Sequence, residues 1–216
     1  MSCTRKVPNS VSLLAASLFL TLASASQAAG RPDCITGLTL FGIKAERTAV
    51  VAAPPFAACI ISDPVVLISV ASKSGSPILF PDRPLLSCAM AERLARFSVD
   101  TASPMAVSAF GKALAALSTG PGYECRTRNR QAGAKVSSHG QGNAVDVMTL
   151  EMTGGRRISA EKPEDAAAVK FFAAFRAAAC VSFNTVLGPG ADPSHASHIH
   201  LDIEPRGKNG AAKFCQ

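Results

Sequence analysis

His195-Ala196-Ser197-His198-Ile199-His200-Leu201-Asp202 holds three of the four histidines in this 216-residue chain. From His198 to Ile203, polar and apolar residues alternate with period two, the pattern of a half-buried β-strand. Ile199, Leu201 and Ile203 are expected to face a core, with His198, His200 and Asp202 sharing the other face. The fourth histidine lies in Ser137-Ser138-His139-Gly140-Gln141-Gly142-Asn143-Ala144-Val145-Asp146. Gly140 and Gly142 permit a tight turn there, after which Ala144 to Val147 reads as a second strand with Ala144 and Asp146 on one face. The turn folds His139 back beside Asp146, so that a nitrogen and a carboxylate oxygen converge. Zinc hydrolases need such a set, three N and O ligands with a fourth position open for water. The competing reading is four histidines that meet by chance. It is weakened because none lies outside the two clusters.

Upstream, residues 30–58 read as an irregular entry stretch ended by Pro54-Pro55. Ile60-Ile61 and Val65 to Ile68 are short strand material broken at Asp63-Pro64, and 72–84 is loop with a short strand at Ile78 to Phe80. Ser87 can cap a helix carrying Met90, Leu94 and Phe97 on one face. Ser103-Pro104 opens another whose buried stripe is Val107, Phe110, Leu114 and Leu117, closed by Gly120-Pro121-Gly122. A third runs from Pro163 to about Ala179, with Glu164 and Asp165 in its first turn and Val169, Phe172 and Phe175 facing the core. Gly188-Pro189-Gly190 marks a turn before the histidines. Without regular β-α-β alternation the class is α+β. The expected form is a small antiparallel sheet carrying the metal site, flanked by about three helices.

Residues 1–29 read as a signal peptide: Arg5 and Lys6 form a basic region, Val11 to Ala23 an apolar one, and Ala23-Ser24-Ala25 or Ser26-Gln27-Ala28 a cleavage site. The apolar run is short for a membrane span, and an uncleaved anchor is the alternative. No second long apolar run follows, so residues 30–216 are expected to form one soluble, periplasmic or secreted domain. Six of the seven cysteines fall in it: Cys34, Cys59, Cys88, Cys125, Cys180 and Cys215. An even number in an exported chain reads as a disulfide framework, with fifteen possible pairings for six cysteines. The favoured pattern ties the ends down, Cys215 returning to the core with Cys180 as one candidate partner. The net charge of +7, two of it in the signal segment, suits an anionic surface or polymer. Nucleic acid is a poor partner, because the basic residues are dispersed and one Tyr and no Trp are present for stacking. The sequence leaves the oligomeric state open.

Ser137-x-His139-x-x-Gly142-x-Ala144-x-Asp146 resembles the first motif of the zinc D-alanyl-D-alanine carboxypeptidases and murein endopeptidases. His195-x-x-His198-x-His200 is similar to the second motif of the murein endopeptidase branch. The resemblance implies His139, Asp146 and His200 as ligands of one Zn²⁺, His198 as the acid/base residue and His195 as an accessory group. The carboxypeptidase branch has a Glu where this chain has Ser197, which disfavours that branch. Arg126 resembles the substrate-binding arginine of these enzymes, but Cys125 interrupts the match and Arg128 is an alternative. Asp202 could orient a ligand imidazole from behind.

Over residues 34–216 the chain also resembles the bacterial extensin-like C-terminal domain proteins. The shared features are Cys125-Arg-x-Arg-Asn129, the His139 motif, Cys180-x-x-Phe183, Leu187-Gly-Pro-Gly190 and Cys215. Metallo-β-lactamase-type and cupin readings of His198-x-His200 fail, because the remaining residues lack the later ligands those folds require. The expected function is hydrolysis of peptide cross-links in peptidoglycan. The alternative is an inactive zinc-binding module that binds cell wall or a protein partner.

Overall fold

Asp33 opens the described fold by capping helix α1 (Cys34–Leu40), its carboxylate accepting from the Ile35 amide at 3.1 Å. The computed structural model describes Met1 and residues 33–48, 55–73 and 75–216; the proposed signal segment lies outside the described residues apart from Met1. Strand β1 (Ile43–Arg47) pairs antiparallel with β2 (Pro64–Val70). The entry stretch is therefore more regular than expected. Its cap at Asp33 is the signal that composition obscures. Strand β2 begins at Pro64 and also pairs with two short strands, β3 (Ile78–Leu79) and β4 (Leu85–Ser87).

Ser87 caps α2 (Cys88–Phe97) by accepting from the Met90 amide at 3.3 Å, and Met90, Leu94 and Phe97 are buried as expected. A π-helical turn at Ser98–Ala102 leads into α3 (Ser103–Phe110). This helix stops well short of the expected Leu117. Gly111 takes the left-handed conformation at its end (φ +69°), and the chain turns into strand β5 (Leu114–Thr119). A register shift between Leu114 and Ala116 places Leu114 and Leu117 on the buried side. That spacing of three mimics a helical stripe in the sequence. Val107, read as part of the stripe, is 49% exposed.

Strand β6 (Ala144–Met152) pairs with β5 and with β7 (Arg157–Ser159). Helix α4 (Ala166–Ser182) starts later than Pro163, because Asp165 is its cap and accepts from Ala168 at 2.8 Å. Phe171, Phe172 and Phe175 are buried, whereas Val169 is 55% exposed. Strands β8 (Thr185–Leu187), β9 (Ile199–Asp202) and β10 (Phe214–Cys215) complete the sheet. Its order is β1-β2-β3-β5-β6-β9-β8-β10, with β4 and β7 at the side. The α+β class holds, but the sheet has ten strands and is mixed, with β3–β5 and β8–β10 parallel. The three longer helices match the expected number.

The core lies between this sheet and the helices. Phe97 meets Phe175 and Phe183 edge-on at 5.1 and 5.4 Å, and all three are buried. Three disulfides close around it: Cys34–Cys88, Cys59–Cys125 and Cys180–Cys215. The last is the end staple anticipated for Cys215. Truncating the fully buried Phe175 to Ala is expected to cost about 3–5 kcal/mol, measured as a lower denaturation midpoint of the oxidised protein with an unchanged m-value.

Candidate metal centre

The site is made where β6 and β9 run antiparallel with Asp146 directly opposite His200, Val145 opposite Leu201 and Val147 opposite Ile199. The apolar partners Val145, Val147, Ile199 and Leu201 join the core and fix the register. Asp146 and His200 must then meet on the other face. The His200 Nδ1 lies 3.0 Å from Asp146 Oδ1. The polar face of β9 is itself buried, with Asp202 only 2% exposed, so the strand is covered on both sides rather than half-buried.

His139 arrives from the adjoining 3-10 turn (Ser138–Gln141). Ser137 caps this turn through the His139 amide at 3.4 Å, which makes Ser137 a structural neighbour of the site. Gly142 ends it with φ +64° and lies so close to β4 that a Cβ would sit 2.7 Å from the Ser87 nitrogen. At Gly140 a Cβ would lie 2.6 Å from Val136 Cγ1 and 2.9 Å from Cys59 Sγ. Both glycines are thus required by space, and His139 is held facing Asp146.

The ring nitrogens are assigned by their partners. His139 Nδ1–H donates to the Gly122 carbonyl at 2.7 Å, leaving the Nε2 lone pair for the site. His200 Nε2–H donates towards Asp202 Oδ2 at 3.4 Å, leaving Nδ1. Those two nitrogens are 3.1 Å apart, and His139 Nε2 is 3.3 Å from Asp146 Oδ1. Ligands on a tetrahedral ion at ~2.0–2.1 Å stand about 3.3 Å from one another. His139, Asp146 and His200 therefore fit one face of a metal tetrahedron, and the three could hold an ion.

Electrostatics points the same way. Burial opposes charge on Asp146, yet hydrogen bonds from His139 and His200 outweigh it and hold the carboxyl well below its usual range. Burial also opposes charge on His200, and Asp146 and Asp202 overcome it, raising the imidazole to about 9. Asp202 is likewise lowered: burial opposes its charge, but His200, Thr185 and Arg206 together outweigh that burial. Without a cation, the proton on His200 supplies the positive charge this cluster requires.

The remaining sequence-derived residues surround an open cleft of about 440 Å³. His198 lies outside the ligand triad, with Nε2 at 3.4 Å from Asp146 Oδ1. Its pKa is lowered, first by burial and then by the neighbouring histidines, against the pull of Asp146. The His195 ring centroid is 5.4 Å from that of His198 and 5.5 Å from that of His200. Arg126 and Arg128 both line the cleft. Arg126 is held by Glu124 at 2.7 Å, and Arg128 reaches both Glu204 oxygens at 2.8 Å.

Sequence reasoning missed four contributors. The Gly122 carbonyl carries no side-chain signal. Asp192 stands three residues before His195, the spacing of a capped turn, and receives its Nδ1–H at 2.7 Å. Glu204 continues the period of two beyond Asp202, and Ser138 donates to it at 2.6 Å.

A family model described as extensin-like protein C-terminus matches residues 33–216. No curated protein and no solved structure matches the chain.

A histidine in an unfolded chain titrates near 6.5, and the folded value of His200 lies above it at about 9. His200 therefore contributes stability that is complete below the lower value and is lost as pH rises through the higher one. The chelated protein is expected to lose melting temperature across that window. The metal-loaded protein should lose less, because a cation replaces the proton; equal slopes would contradict the ligand assignment.

Proposed function

This chain belongs to the extensin-like protein C-terminus family, and from the geometry of its site we propose that it is an exported zinc peptidase acting on peptide cross-links of peptidoglycan. The observation that carries the reading is the triangle of His139 Nε2, His200 Nδ1 and Asp146 Oδ1, with sides of 3.0, 3.1 and 3.3 Å, on the wall of an open cleft. Two imidazoles and one carboxylate are the donor set of hydrolytic zinc, which binds three protein ligands and keeps a position for water. Zinc bound there would bring the pKa of a water towards about 7 and polarise the scissile carbonyl.

The chain's own groups do the rest. His198, beside the ligand carboxylate but not in the triad, is suited to take the proton of the attacking water, as the resemblance to murein endopeptidases implies. Burial keeps it neutral and hence able to accept. Asp202 behind His200 fixes the ring that holds the metal. Arg126 is suited to receive a substrate carboxylate or developing oxyanion once Glu124 yields it. Three disulfides suit an oxidising compartment, and no helix among the described residues is long and apolar enough to cross a membrane.

Digestion of purified sacculi tests the proposal. New amino groups should be released by the metal-loaded protein and not by the chelated one. A zinc-loaded protein that releases none would instead be a binding module. His139→Ala should lose zinc and activity together, and retained metal there would refute its role as ligand. His198→Ala should keep stoichiometric zinc but lose turnover by on the order of 10²-fold or more, read by metal analysis beside the amine assay.

A further inference from the structure

Residues 213–216 are each tied to the fold. Lys213 Nζ donates to the Phe183 carbonyl at 2.9 Å and to Asn184 Oδ1 at 3.1 Å. The Phe214 amide donates to the Asn184 carbonyl at 2.8 Å, Cys215 is bonded to Cys180, and the Gln216 amide donates to the Val186 carbonyl at 2.9 Å. Yet the aromatic side chain that this anchoring displays is not a core residue. Phe214 is 43% exposed and lines the cleft. Its place follows from register: Phe214 pairs with Thr185, and Thr185 with Asp202, so the three share the sheet face that carries His200. A loop holding Gly207 (φ +70°) and Gly210 (φ +69°) returns the chain to bring Arg206 over the ring, its guanidinium carbon 5.6 Å from the ring centroid. Arg206 Nε donates to Thr185 Oγ1 at 2.6 Å, and Nη2 stands 3.6 Å from Asp202 Oδ2. Among the described residues no hydrogen bond engages Nη1.

An aromatic face beside a guanidinium with a spare N–H makes two demands on whatever covers it. An aliphatic side chain would use the ring and leave the donor unmatched. A carboxylate would use the donor and leave the ring wet. A pyranose meets both, with C–H bonds on its face and hydroxyl oxygens at its edge. We propose that Phe214 and Arg206 form a sugar subsite of the cleft, which holds a pyranose of the glycan strand while the attached peptide lies across His139, Asp146 and His200. This rests on the peptidase reading and names a part of the substrate that reading leaves open. The spacing agrees with it. Two strand intervals of ~4.8 Å and one same-face step of ~6.6 Å place the Phe214 backbone about 12 Å from that of His200. At ~3.3 Å per extended residue, about three to four peptide residues separate the cut bond from the sugar. The Cys180–Cys215 disulfide then holds the ring where the glycan passes.

Two soluble cross-linked dimers of identical peptide test this, one carrying a disaccharide on both stems and the other bare. With the zinc-loaded, oxidised protein, the sugar-bearing dimer should show about tenfold higher kcat/KM, the difference falling in KM. Phe214→Ala should bring the ratio of the two dimers towards one, and Phe214→Tyr should keep it. Reading the ratio cancels any general loss in a variant. Arg206→Lys keeps the charge without the planar fork and should lower the ratio by about threefold. A wild-type ratio of one, or an unchanged ratio in Phe214→Ala, overturns the sugar subsite alone. An unchanged ratio in Arg206→Lys removes the guanidinium from it. A zinc-loaded wild type that cleaves neither dimer overturns the peptidase reading, and calorimetry with the uncross-linked disaccharide-peptide then decides the subsite separately. Binding that Phe214→Ala weakens by about tenfold supports the subsite, and equal binding by the two proteins overturns it.

Discussion

One cross-strand pair organises this protein. Asp146 and His200 face each other across an antiparallel ladder whose register is set by Val145, Val147, Ile199 and Leu201. A slip of β9 by one residue would send His200 into the core and bring Ile199 and Leu201 out. The packing that stabilises the sheet and the geometry that presents the ligands are therefore the same constraint. Everything else at the site adjusts to it, including the glycine-bounded turn that adds His139.

The second consequence is electrostatic. Two carboxylates, Asp146 and Asp202, flank a buried imidazole on opposite sides of its ring. Such a cluster is costly to bury unless positive charge is present, and a proton or a metal ion can supply it. Ser138, Glu204 and Arg128 extend the network outward to the cleft rim, so the desolvated charges are bonded at every step. The three residues His139, Asp146 and His200 at its centre could hold a cation.

Much of this was legible in the residues. Period-two alternation from His198 revealed β9, and the spacing of His139, Gly142 and Asp146 revealed the turn and the ligand it returns. The resemblance then named His139, Asp146 and His200, three residues that the structure brings together. The failures have physical causes. The stripe through Leu114 and Leu117 looked helical because a register shift in β5 puts two residues three apart on one side. Val169 reads as a core residue because it stands three before Phe172, whereas the buried stripe runs through Ala168, Phe171, Phe172, Phe175 and Ala179. The sheet's size was invisible because β3, β4, β7, β8 and β10 are two or three residues long and carry too little pattern to read alone. The partner of His139 could not be read either, since a main-chain carbonyl has no identity in a sequence.

That carbonyl separates two kinds of control over imidazole chemistry in one cleft. Gly122 orients His139 through its main-chain oxygen, and a φ of +79° with a Cβ that would fall 2.5 Å from the Leu85 carbonyl reserves the position for glycine. Any larger residue there would distort the local backbone and move that acceptor. His195 depends instead on a carboxylate that a single base change can abolish. One imidazole is thus oriented by a backbone that accepts only glycine and its neighbour by a side chain, so two rings of the same cleft answer to different kinds of substitution.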